Sequence, residues 1–135
     1  MLAILNKNET LRQFIKFCVV GFGNTIIDYG VYLFFSRLID LYYLYANILA
    51  ILVAMTFSFF VNKYWTFGNF EKEIKIQYAK FFLIGIVYFI LYNAIFYLCV
   101  NNLLIYDLLA KIIAIAIGLF WNFIANKYWT FRKNV

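Results

Sequence analysis

At 135 residues, with 67% hydrophobic and 13% charged side chains, the chain lacks the polar surface to cover a globule in water; soluble domains carry about 45–50% apolar and about 25% charged residues. A mean hydropathy of +0.84 with a net charge of +6 describes an integral membrane protein that has a basic side. Histidine and proline are both absent, which removes the commonest acid–base group and metal ligand and leaves no helix short of a backbone donor.

In chain order, residues 1–13 are polar and mildly basic, with Lys7 and Arg12. Residues 14–35 are apolar except for Lys16, Asn24, Thr25 and Asp28. Such a run extends about 33 Å as a helix, enough to cross a hydrocarbon core of about 30 Å. It is too long for a signal-peptide core and lacks a small-residue cleavage site, so it is expected to be retained. A connection at 37–44 leads to a second span at 45–61, closed by Asn-Lys-Tyr-Trp-Thr-Phe at 62–67. Residues 68–77 are the most polar interior stretch, with Glu71, Lys72, Glu73 and Lys75. A third span at 78–100, a tight connection at 101–106 and a fourth span at 107–125 follow, and the same hexapeptide recurs at 126–131. Cys18 and Cys99 fall at opposite membrane faces in this layout and read as apolar thiols, not as a disulfide or metal site.

The two hexapeptides are 64 residues apart, and other positions match at that offset without a gap. Lys16-Phe17 falls on Lys80-Phe81, Gly21 on Gly85, Ala46 on Ala110, Ala50 on Ala114 and Phe59 on Phe123. The expected fold is therefore an all-α membrane protein of four transmembrane helices, arranged as two tandem parallel two-helix repeats. Repeat one spans 12–67, a cytoplasmic loop 68–77 and repeat two 78–131. One side carries Lys7, Arg12, Lys16, Lys63, Lys72, Lys75, Lys80, Lys127, Arg132 and Lys133; the other carries only Arg37 and Lys111. That bias predicts cytoplasmic N- and C-termini, with the hexapeptide rings at the inner interface. An even number of spans per repeat predicts a pseudo-two-fold axis along the membrane normal.

Polar groups inside spans are costly and face other helices or a wet cavity. Asp107, Lys111, Gly118, Asn122 and Asn126 are spaced 4, 7, 4 and 4, on one helical face; Asn47, Ala54, Ser58 and Asn62 share that register in the second span. Asn24 and Asp28, with Thr25 beside them, form a stripe on the first span, but the third has Tyr88 and Tyr92 there, and Lys111 stands where repeat one has Asn47. Asp28 and Lys111 are expected to meet across the pseudo-two-fold, with Asp107 as the alternative partner of Lys111. The pair either fixes helix register or serves a substrate or proton pathway lined by Asn24, Thr25, Asn47, Ser58 and Asn122. Packing is the competing role of Ala54, Ser58, Gly85 and Gly118. At the inner ends, Arg12, Lys16, Lys63, Lys80 and Lys127, with Asn62 and Asn126, are expected to meet anionic lipids or capture a lipid phosphate. Nucleic acid is a poor partner for charges at a membrane surface. The chain shows no nucleophile–base constellation, metal cluster or phosphate loop, so neither an enzyme nor a cofactor is expected.

Phe17, Gly21, Asn24-Thr25, Asp28, Ser58-Phe59, Asn62 through Phe67, Ala110-Lys111, Asn122-Phe123, Asn126 and Trp129-Thr130-Phe131 together resemble the GtrA-like family of small four-helix membrane proteins. The family more often has Arg at positions 63 and 127 and aliphatic residues at 66 and 130. The resemblance implies translocation of polyprenyl-phosphate-linked sugar across the bacterial cytoplasmic membrane, beside a membrane glycosyltransferase that decorates cell-envelope polysaccharide. It leaves as the alternative a non-transporting anchor or regulator of that transferase. Four helices make a thin wall around a lipid headgroup, and a homodimer would supply more surface.

Overall fold

A computed structural model describes residues 2–132, with side chains from Lys7 onward; Lys133, counted above on the basic side, lies outside them. The described residues form helices joined by short connections, without strands: α1 Leu2–Leu33, α2 Tyr43–Val61, α3 Ile74–Tyr97 and α4 Asp107–Ala125. Four segments are long and apolar enough to cross a bilayer: Lys7–Leu38, Tyr43–Thr66, Ile74–Asn102 and Asp107–Thr130. The protein is an all-α, multi-pass membrane protein.

Two boundaries differ from expectation. Helix α1 already includes the polar residues before position 14, and α3 begins at Ile74, inside the stretch expected as loop. Both extensions are rich in Lys, Gln, Leu and Ile and free of Gly and Pro, so intrinsic propensity carries the helix beyond the apolar run.

Each helix continues into a five-residue π turn, at Phe34–Leu38, Asn62–Thr66, Leu98–Asn102 and Asn126–Thr130. The turns are closed by N–H groups reaching five residues back: Ile39 to the Phe34 carbonyl (3.3 Å), Phe67 to Asn62 (2.9 Å), Leu103 to Leu98 (3.1 Å) and Phe131 to Asn126 (2.9 Å). After three of them, a wider bond reaches six back, from Leu41 to Phe35, Asn69 to Lys63 and Ile105 to Cys99. The intervening residue takes the left-handed conformation, at Asp40 (φ 59°), Gly68 (φ 57°) and Leu104 (φ 55°). Only Gly68 adopts it without steric cost. These bonds give the last carbonyls of a helix partners where lipid offers none.

The chain forms two compact units, divided between Phe70 and Glu71. In the first, α1 packs on α2; in the second, α3 packs on α4. The buried face of α2 carries Ala46, Ala50, Ala54 and Phe59, and that of α4 carries Ala110, Ala114, Gly118 and Phe123. Small residues at every fourth position let two backbones approach closely, which in lipid replaces the hydrophobic drive as the source of association. A Cβ placed on Gly118 would lie 2.5 Å from the Tyr88 ring. The corresponding residues of the first unit are Ala54 and Asn24, so the larger residue on one helix goes with the smaller on the other.

Candidate functional site

The hexapeptide ends of both units are built alike on the odd-numbered helix. In the first unit, the Lys16 ammonium lies 5.0 Å from the Trp65 ring centroid and donates to the Trp65 carbonyl at 3.4 Å. Phe17 and Phe67 pack with centroids 6.2 Å apart. In the second unit, Lys80 stands 5.3 Å over Trp129, and Phe81 and Phe131 are 6.2 Å apart. A Lys-Phe dipeptide on one helix thus fastens to the Trp and final Phe of the hexapeptide on the other. Sequence reading placed Lys16 and Lys80 at the inner mouth without these partners. Their signal was present, since each dipeptide recurs at the offset that separates the hexapeptides.

The identical hexapeptides then diverge. In the first, Lys63 is 0% exposed, and its ammonium donates to Asn69 Oδ1 at 3.0 Å. Thr66 donates to Asn62 Oδ1 (2.8 Å), and the Asn62 amide donates to Ser58 Oγ (3.2 Å). In the second, Asn122 replaces Ser58, and its carbonyl and side-chain oxygens take the Asn126 amide at 2.8 and 2.7 Å. Asn126 Oδ1 and Thr130 Oγ1 are left buried without a hydrogen-bond partner. Lys127 is half-buried, near the Tyr128 ring at 5.7 Å and the Phe123 ring at 6.0 Å. The position equivalent to Asn69 is Lys133, so no amide stands there for Lys127. Arg12 is exposed. An apolar groove of about 610 Å³ runs along the second unit, walled by Trp121, Tyr128 and Trp129.

At the opposite end of the first unit, Asp28, Tyr29 and Tyr32 of α1 face Tyr43, Leu44 and Asn47 of α2 across a cavity of about 340 Å³. Asp28 Oδ1 and Asn24 Oδ1 are buried with no hydrogen-bond partner. Thr25 donates to the Gly21 carbonyl of its own helix at 3.1 Å, a local bond that uses the hydroxyl proton and leaves its oxygen as an acceptor. Along α3 the corresponding region is a row of rings, with Tyr88 stacked on Tyr92 and Tyr92 on Phe96, each pair 6.3 Å between centroids. Asp107 uses Oδ1 to accept the Leu108 N–H at the start of α4 (2.9 Å), and Lys111, one turn on, is exposed. Of the expected polar path, the first unit therefore brings Asp28 and Asn47 to one cavity and Ser58 to Asn62. The second unit joins Asn122 to Asn126.

The chain is similar to the uncharacterized membrane protein YngA of Bacillus subtilis (strain 168), 33% identical over 132 residues that cover 94% of this chain and 84% of that one. Residues 16–131 match the family described as GtrA/DPMS, transmembrane domain. That interval opens on the lysine that meets Trp65 and closes on the phenylalanine that meets Phe81. With the motif residues, four apolar helices and this match in agreement, the chain belongs to the GtrA/DPMS transmembrane-domain family.

Proposed function

We propose that the protein is a flippase, or a flippase component, for polyprenyl-phosphate-linked sugar in the bacterial cytoplasmic membrane, serving cell-envelope polysaccharide synthesis. Family membership supports the substrate class, and the observation that carries the mechanism is the Asp28 cavity. A carboxylate oxygen without a partner, inside a span that is apolar but for Lys16, Asn24, Thr25 and Asp28 itself, is costly to keep unless a ligand or a second charge uses it. In this reading the units are parallel repeats, their hexapeptide ends and both termini are cytoplasmic, and the protein moves lipid without catalysing a reaction. The lipid phosphate docks on the exposed or half-buried cations of a unit, Arg12 and Lys16 in the first or Lys80 and Lys127 in the second. Asn62, Lys63 and Asn126 hold the turns beneath them. The isoprenoid tail follows the apolar groove walled by Trp121 and Trp129. Within the first unit the headgroup passes Ser58, Thr25 and Asn24 towards Asn47, with Asp28 gating the far side; Asn122 and Lys111 are the polar positions that serve the second unit. Anionic lipids occupy the same lysines at rest, and a homodimer completes the wall around the headgroup. In vesicles carrying a fluorescent polyprenyl-phosphate-sugar, the protein should accelerate transbilayer movement, and Asp28→Asn and Lys111→Ala should each slow it at least about tenfold, a barrier change of about 1.4 kcal/mol. Wild-type rates in both variants would sink the mechanism.

A second reading, a non-transporting anchor or regulator of a membrane glycosyltransferase, is favoured by one observation. Lys16, Lys63 and Lys80 are engaged by their own unit, which gives them structural work. Co-purification of such a transferase that survives substitution of Asp28 and Lys111, together with absent lipid movement, would select it.

A further inference from the structure

The geometry points to the α1–α2 cavity as a glycosyl pocket that takes an uncharged, hydroxyl-rich sugar ring and turns away an acidic one. Its volume, about 340 Å³, is at the lower end of the range for small-molecule sites, about 300–1,000 Å³. Its lining is mixed in the way such a ring requires. Asp28 brings an oxygen that accepts and has no donor from the protein. Asn47 brings an amide that both donates and accepts, and Tyr29, Tyr32 and Tyr43 bring aromatic faces and hydroxyls. A pyranose is complementary to this set: its hydroxyls supply the donors that Asp28 lacks, and its C–H faces lie against rings.

An acyl or isoprenoid chain is the wrong occupant, because it would seal off the carboxylate oxygen with no hydrogen bond. A bare metal ion would need several converging oxygens, whereas three of the six lining residues present rings and one is Leu44. None of the six is cationic, so a uronic-acid carboxylate would meet Asp28 without compensation. At the equivalent place on α3, stacked Tyr88, Tyr92 and Phe96 stand where α1 has Asn24, Asp28 and Tyr32. The carboxylate lining is thus particular to the first unit.

The choice of ligand rests on the translocation reading, and the test keeps the two apart. Full-length protein in nanodiscs is titrated with three probes: a short-chain isoprenyl phosphate, the same lipid bearing glucose, and the same lipid bearing glucuronic acid. The glucosyl lipid should bind about tenfold more tightly than the bare lipid, and the glucuronosyl lipid no more tightly than the bare one. Asp28→Asn, which keeps the shape, and Asn47→Ala, at an exposed position, should each bring the ratio of glucosyl to bare-lipid affinity close to one. A preference that persists in both variants overturns the pocket, as does a wild type that binds all three lipids alike. If the preference collapses as expected while vesicles show no transbilayer movement, the pocket stands and translocation falls. If movement is rapid while both variants keep the preference, translocation stands and the pocket falls.

Discussion

Lys63 shows how a residue's duty can hide from its motif. An ammonium with no exposure to solvent needs donor-for-acceptor satisfaction inside the protein, and Asn69 Oδ1 at 3.0 Å provides part of it. Replacing Asn69 by Ala should therefore cost about 1.5–3 kcal/mol, the range for a hydrogen bond to a charged group. Adding Lys63→Met to that variant should recover most of the loss, because the stranded charge is gone. Thermal or denaturant unfolding in detergent checks both, and equal stability of wild type and Asn69→Ala would refute the structural assignment. None of this was legible in the sequence. Asn69 falls in a polar stretch that reads as loop, and only the π turn, with Gly68 in the left-handed region, folds it back against Lys63. The chemistry at Asp28 was easier to see, because an acid within an apolar run announces itself. Its neighbours Tyr29, Tyr32 and Tyr43 did not stand out among the 12 tyrosines of the chain.

At the scale of elements, the four spans were readable because apolar runs of membrane-spanning length are interrupted by charge and turn residues and by nothing else. Their ends were less so. Composition shifts at the lipid boundary, but a helix stops where its carbonyls find other partners, and here the π turns set that point. Packing between helices was partly legible in the alanines of α2 and α4 and hidden in the exchange of Asn24 and Ala54 for Tyr88 and Gly118. Gly118→Ala should destabilise by about 1–3 kcal/mol, as overpacking does, since its Cβ would stand 2.5 Å from the Tyr88 ring. Pairing it with Tyr88→Asn reproduces the residues of the first unit and should return most of the lost stability, measurable as a coupling in a double-mutant cycle. Simple additivity of the two substitutions would show that the ring relaxes elsewhere at no cost.

For the whole molecule, the 64-residue offset links more than sequence. It relates the π turns, the Lys–Trp and Phe–Phe contacts, and the left-handed residues Asp40 and Leu104. Most differences between the units exchange one apolar residue for another, and the chemically telling ones are Asn24, Asp28 and Asn47 against Tyr88, Tyr92 and Lys111. Ten basic residues on one side against Arg37 and Lys111 on the other predict the orientation in the bilayer. Reporter fusions at residues 1 and 135 and at the 68–73 loop should all respond from the cytoplasm, and fusions near Asp40 and Leu104 from outside. A periplasmic response from either terminus would reverse the assignment and, with it, the proposed docking face.

The Lys16–Trp65 and Phe17–Phe67 contacts fasten α1 to α2 at one end, while the opposite end of the same pair is hollow. Mechanically, the pair is a closed hairpin, since residues 39–42 join α1 to α2 at the hollow end. Its arms cannot slide past one another along the small-residue seam of Ala46, Ala50 and Ala54 without losing close packing. Nor can they splay at the hollow end, because that four-residue link ties them together. Admission of a ring to the cavity is therefore expected to turn on the side chains of Tyr29, Tyr32 and Tyr43, with the helices held at both ends.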